Sequence, residues 1–178
     1  MDSIGVKNKI IESVKAALDK VEKTDIFVDT IVSASKIFVV GSGRSKLIIE
    51  CFAQRLRHLG MDVHIVGEIL QPSASKGDLI IVASGSGDSI FPLSIAQKAK
   101  RIGMKVILIT AEKNSPIAEI SDLIIHIPIP SKKRMDFQPL GSLFEQCLLI
   151  FCDAVAVMIQ KAKKISKQTL WEKHANLE

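Results

Sequence analysis

The chain has 178 residues, a formal net charge of +5, 47% hydrophobic residues and 24% charged ones, which is enough for one domain with a sizeable core and ordinary for a globular protein. One tryptophan and no tyrosine argue against an aromatic platform for single-stranded nucleic acid. The basic residues form no dense block beyond short runs such as 132–134 and 161–164; these read as solvated loops or helix ends, so no nucleic-acid partner is expected.

The N-terminus, MDSIGVKNKI, lacks the apolar core of a signal peptide. In chain order, Val6, Ile10, Val14, Ala17, Leu18 and Val21 keep a helical stripe. Asp25 is placed to cap a second helix running to Ser33. KIFVVGSGRS then changes the pattern to a short apolar run ending in a glycine turn, which reads as a buried strand. SKLIIECFAQRLRHLG returns to helical spacing, with Gly60 as its stop. VHIVG is a second strand, and 78–83 is a third that leads into SGSGDS. A helix over 89–102 ends at Gly103, KVILIT is a fourth strand, and a short helix follows at 116–120. DLIIHIPIP gives the fifth strand, where Pro128 and Pro130 indicate an edge or an exit. The apolar stretch 143–159 is interrupted by Glu145, Gln146 and Asp153 and reads as a helix buried in protein, not as a membrane span. A cytoplasmic location is therefore expected.

Short apolar strands alternating with helices indicate an α/β fold. The expectation is a three-layer, doubly wound sandwich with a five-stranded parallel sheet covered on both faces. No linker divides the chain, so residues 1–178 are read as one domain, with helices 1–35 and 142–178 packed on the sheet. Cys51, Cys147 and Cys152 are odd in number, lie in apolar helical patterns and have no metal-ligand spacing. Neither a disulfide framework nor a metal site is expected.

The chemistry is concentrated in two turns, GSGRS at 41–45 and GSGDS at 85–89. Each ends an apolar strand and opens a helix. Glycine lets the backbone approach a ligand, serine hydroxyls donate to oxyanions, and a helix start offers unpaired N–H groups. Ser84, Ser86 and Ser89 could supply hydroxyls to a phosphate, and the backbone of Gly85, Gly87 and Asp88 could supply amides. A simple helix cap would need one such side chain, not three. A Walker loop requires a Gly-Lys-Ser/Thr ending that is absent. A dinucleotide fingerprint requires a third glycine, where Lys46 and Ile90 stand instead.

These residues resemble the sugar isomerase (SIS) domain family, in which S-x-S-G-x-S/T, matched by Ser84, Ser86, Gly87 and Ser89, holds the phosphate of a sugar phosphate. VGSGRS, FAQRLRHLG, VGE with the loop to Pro72, QPLGSLFE and the terminal HANLE are together similar to the 6-phospho-3-hexuloisomerase branch of that family. The resemblance covers the chain from about Lys36 onward. It implies a flavodoxin-like strand order, a homotetramer, no cofactor, and isomerisation of 3-hexulose 6-phosphate to fructose 6-phosphate through a cis-enediol.

The resemblance also places Glu145 as the base that moves the proton. Locally, Ser142-x-x-Glu145 is equally a capping box, in which the glutamate closes its own helix. His174 is carried over as a second catalytic candidate, acting in its own site or a neighbouring subunit's. Its alternative is a solvent-facing histidine near the chain end. Arg44 could face the phosphate, polarise the enediolate or bridge to another subunit, and its alternative is a surface salt bridge. Ser45 is the other contact expected in that turn, or the N-cap of the following helix. The aspartate of the second turn, Asp88, should cap or turn outward while its N–H faces the ligand. Arg55 and His58 are read as structural. The helix after Ser142, apolar on nearly all sides, and the N-terminal stripe are candidate subunit surfaces. Other readings that stay open are an SIS-type isomerase of a different sugar phosphate and a non-catalytic sugar-phosphate-binding module.

Overall fold

The computed structural model describes residues 2–129 and 138–174. Pro130, the basic run at 132–134 and the last four residues of HANLE lie outside the described residues. The first helix, α1 (Ser3–Leu18), is started by Asp2, whose carboxylate accepts from the Gly5 N–H at 2.8 Å. Helix α2 (Thr24–Ser33) follows a left-handed Lys23. Asp25 therefore stands inside the first turn and is not the cap, because the cap position is set by where the backbone leaves helical geometry.

Five parallel strands form one sheet: β1 (Ile37–Gly41), β2 (Val63–Ile65), β3 (Leu79–Ala83), β4 (Lys105–Thr110) and β5 (Leu123–His126). Their order is β2-β1-β3-β4-β5, the flavodoxin-like winding. In register, Val39 faces Ile81 and Ile81 faces Ile107. Strands β1 and β3 are buried at every residue, which is why they read as unbroken apolar runs without alternation.

Successive strand side chains point to opposite faces, and this divides the core. Val39, Ile81, Ile107 and Ile125 join a cluster with α1, α2, α3 (Gly43–His58) and α6 (Ser142–Ala162). Phe38, Ile80, Val82, Val106 and Leu108 join a second cluster under α4 (Ile90–Ile102) and α5 (Pro116–Ile120). Ala96 and Ala99 of α4 are small enough to bring that helix close to the sheet. On the other face Phe27 stacks on Phe151 at 5.8 Å and lies 6.4 Å from Phe52, locking α2, α3 and α6 together.

This packing answers the question of surfaces. The stripe of α1 is largely used within the chain: Val14 and Ala17 are buried in the same cluster as Leu148 and Val155 of α6, while Val6 at its start stays exposed. Helix α6 is likewise covered by α1, α2 and α3 along most of its length, leaving Ile150 and Val157 exposed. It is long and apolar enough to cross a membrane by length and composition, but its buried side chains pack in this core. A short helix, α7 (Lys167–Glu172), completes the described chain. Arg55 forks onto Asp153 and ties α3 to α6, the structural role expected of it.

Candidate functional site

In the observed strand order, the chain leaves β1 toward β2 on one side, while β3 leads to β4 on the other. The crevice at the carboxyl ends of β1 and β3 is the point where the winding reverses, and open α/β sheets bind their ligands there. GSGRS follows β1 and SGSGDS follows β3, so the two similar turns sit side by side on that crevice.

The first turn is compact by necessity. A Cβ on Gly41 would lie 3.0 Å from the Lys46 backbone. Ser42, not Ser45, is the N-cap of α3, and Ser45 is the third helical residue. The amides of Gly43, Arg44 and Ser45 belong to a first turn that has no acceptors within the helix.

The second turn is clamped from both sides. Ser84 is 2% exposed; its Oγ accepts from the Gly87 N–H at 3.1 Å and lies 3.2 Å from Ser89 Oγ. The turn between β4 and α5 grips the loop from outside. Ala111 N–H donates to Gly85 O at 3.2 Å, and Ile117 N–H donates to Gly87 O at 3.0 Å. Gly87 has φ +67, and a Cβ there would come within 2.0 Å of Ser115 Oγ, so no other residue fits without displacement. Ser89 is the N-cap of α4 but makes no capping bond with its side chain. Asp88 accepts from the Ser86 hydroxyl, so its carboxylate is occupied within the loop.

The third element is the start of α6. Gly141, at φ +83, is the N-cap, and Ser142 is the first helical residue. The capping box is therefore not formed. Glu145 is the fourth helical residue and makes no capping bond; its carboxylate forms an ion pair with Arg44, 3.0 Å from Nε. Arg44 also donates from Nη2 to the Leu140 carbonyl. The φ of Gly141 is the local reason for glycine at that position, and a Cβ there would also lie 3.0 Å from Arg44 Nη2. The Glu145 side chain is 17% exposed and that of Arg44 is 56% exposed.

These three elements enclose a cavity of about 360 Å³, a size suited to a small metabolite. Of the residues singled out in the sequence, Arg44, Ser45, Gly85, Ser86 and Glu145 line it. Ser84, Gly87, Asp88 and Ser89 do not line it; Ser84 and Gly87 are buried beneath the loop, Asp88 is exposed on it, and their hydrogen bonds shape it. His174 is elsewhere within the chain. It lines a second cavity of about 440 Å³ between α3, α6 and α7, where it stacks on His58 at 5.2 Å and lies 5.7 Å from Trp171. Sequence reasoning missed Gln138 and Phe144, which also line the first cavity. Both lie in the QPLGSLFE stretch, where the acid drew attention away from its neighbours. A Cβ on Gly85 would meet the Phe144 ring at 3.0 Å, so the absence of a side chain there lets α6 close onto the loop.

Nucleophilic chemistry is not offered by Cys147 or Cys152, the two buried cysteines. Burial pushes the Cys147 thiol up to about 11 and raises Cys152 as well, so neither is a thiolate near neutral pH. Among the described residues, no group of three or more His, Cys, Asp or Glu side chains is placed to hold a metal ion. The available chemistry is a carboxylate beside a guanidinium at one end of a cavity, with serine hydroxyl and helix-start amides along its wall.

The SIS domain model matches residues 30–158. A 3-hexulose-6-phosphate isomerase of Bacillus subtilis is 43% identical over 162 residues, covering 88% of each chain. Another, of Mycobacterium gastri, is 36% identical over 161 residues, covering 88% of this chain and 81% of its own. A solved structure from Methanococcus jannaschii, described as inferring a molecular function of 3-hexulose-6-phosphate isomerase, matches with a TM-score of 0.85. It is 38% identical, and the match covers 97% of each chain. By sequence and by fold alike, the chain belongs to the SIS domain family.

Proposed function

We propose that the protein interconverts 3-hexulose 6-phosphate (D-arabino-hex-3-ulose 6-phosphate) and fructose 6-phosphate. The observation that carries this reading is the orientation of Glu145. Its carboxylate is released from the capping role and lines the same cavity as the two glycine-serine turns. The similarity to relatives bearing that activity supports the choice of substrate.

Moving the carbonyl from C3 to C2 requires loss of the C2 proton, a cis-enediol, and return of a proton to C3. Glu145 takes the C2 proton as general base and returns it to C3 from the same face. In the first half O3 gains a proton as C2 loses one. In the second, O2 gives up its proton as C3 gains one, so no electron leaves the sugar. Arg44 lies against the acid and presents its cation to the oxygen that becomes negative. An ion pair this exposed contributes only about 0–1 kcal/mol, so redirecting Arg44 from Glu145 to the substrate costs little.

The phosphate lies at the other end. Ser45 and Ser86 offer hydroxyls there, with amides of the first α3 turn and of Gly85. Ser84, Gly87, Asp88 and Ser89 hold the loop in the receiving conformation. The Ser86 hydroxyl turns from Asp88 to the phosphate when substrate enters, and the Asp88 carboxylate faces outward.

The working unit in this reading is a homotetramer. Leu47, Ile69, Leu70, Ile90, Phe91 and Leu140 are exposed, and each follows the carboxyl end of a strand or borders the cavity. Ile69 and Leu70 are 99% and 92% exposed. An apolar rim of this kind supports coverage by another subunit. His174, remote from its own chain's cavity, would then serve a neighbour's. The protein acts in the cytoplasm as a single SIS domain, and the reaction serves a ribulose monophosphate type of pathway.

Incubation with enzymatically prepared 3-hexulose 6-phosphate tests the reading. Fructose 6-phosphate is expected to accumulate. Turnover of a pentose, heptose or amino-sugar phosphate in its place would overturn the substrate and leave the fold assignment standing.

A further inference from the structure

One wall residue of the cavity is left without a hydrogen bond. Gln138 is only 8% exposed, it lines the cavity together with Glu145 and Ser86, and its buried amide nitrogen has no partner among the described residues. Unpaired buried donors are uncommon because each forfeits its hydration without compensation. The cost persists at Gln138 even though its neighbours are well paired: Pro139 O accepts from Ser142 N–H at 3.2 Å, and Leu140 O accepts from Arg44. Pro139 and Leu140 are thus tied into the turn that leads to α6, while the Gln138 amide nitrogen is closed off from solvent beside the cavity with no partner among the described residues.

We propose that Gln138 is a substrate-contacting residue, whose amide rotates into the cavity as substrate enters and donates from its nitrogen to an oxygen of the open-chain sugar in the C1 to C4 region. This inference rests on the sugar-phosphate reading of the cavity. A neutral amide suits that part of the ligand. It donates to a carbonyl or hydroxyl oxygen and can accept from a neighbouring hydroxyl through its own oxygen, whereas phosphate draws on serine hydroxyls and helix-start amides. It also adds no charge beside the Arg44–Glu145 pair. An apolar residue in its place would leave the sugar oxygen as the unpaired group, and sites that bond a substrate hydroxyl discriminate strongly for that reason.

The test separates a ligand contact from a structural one. In Gln138→Met, similar in length and lacking the amide, the unliganded protein should melt at the same temperature as wild type or higher, because a buried donor without a partner has been removed. Affinity for fructose 6-phosphate by calorimetry should fall roughly tenfold to a hundredfold, and Gln138→Glu should lose more through the new negative charge. Inorganic phosphate, which has no sugar oxygens, should bind both proteins within about twofold. A fructose 6-phosphate affinity unchanged in Gln138→Met would overturn the inference. So would a lowered melting temperature with equal loss of phosphate binding, since that is the signature of a damaged scaffold. Wild-type protein that binds sugar phosphate but does not isomerise 3-hexulose 6-phosphate contradicts the proposed reaction and leaves the Gln138 contact measurable by the same binding comparison. Failure of wild type to bind any sugar phosphate overturns both.

Discussion

Arg44 Nε lies 3.0 Å from Glu145 Oε1, which joins the first turn of α3 to the first turn of α6. The contact links the loop after β1 to the helix that carries the acid, so the two turns meet at one corner of the cavity. The same guanidinium reaches the Leu140 carbonyl with a different nitrogen. Only a fork of donors in a fixed plane serves both acceptors.

Arg44→Lys retains the charge and loses that fork. The expected result is a fall in kcat of roughly tenfold to a hundredfold, with a smaller change in KM, measured by following fructose 6-phosphate formation. A kcat equal to wild type would show that the guanidinium is only a strut between the two helices.

Ser86 is the hydroxyl best placed to meet a phosphate, and its partner in the unliganded site is Asp88. Ser86→Ala should raise KM and weaken fructose 6-phosphate binding by about tenfold, consistent with one lost hydrogen bond to a charged group. The melting temperature should move little, because the residue lines the cavity and makes no buried bond. Equal affinity in the variant would argue that the phosphate sits elsewhere.

Gly87 carries the backbone constraint of that loop. Gly87→Ala places a methyl group 2.0 Å from Ser115 Oγ at a φ of +67, and such strain costs about 1–3 kcal/mol. Denaturant unfolding should show this loss, and combining the change with Ser115→Gly should recover the part due to the clash. An unaltered midpoint in the single variant would mean that the loop is softer than its hydrogen bonds indicate.

The fold was largely legible because parallel strands covered on both faces must be apolar throughout. LIIVA and IFVVG could hardly be anything but central strands, and Gly60 and Gly103 marked where helices stop. Two strand ends carrying the same turn marked where the chemistry gathers. Less was legible where a backbone torsion decides between identical sequence patterns. Ser142-x-x-Glu145 is the same string whether Ser142 or Gly141 is the cap, and only the left-handed Gly141 moves the glutamate out of the capping-box position. The stripe of α1 had the spacing of a surface that needs a partner, and nothing in its own residues says that the partner is α6 of the same chain. Gln138 gave no signal, since an isolated glutamine becomes notable only when its burial and lack of a partner are known. His174 was placed by resemblance, and its position beside His58 and Trp171 leaves its use to the assembly of chains.

The central claim is that Glu145 is the base, and the Glu145→Gln variant tests it most directly when assayed on 3-hexulose 6-phosphate alongside wild type. Glutamine keeps the size and an acceptor for Arg44 but cannot take the C2 proton. Fructose 6-phosphate formation should fall by about 10²–10⁴ or more, while calorimetric binding of fructose 6-phosphate stays within a few-fold of wild type. Turnover by the variant at the wild-type rate would contradict the account and return Glu145 to the role of a structural partner for Arg44.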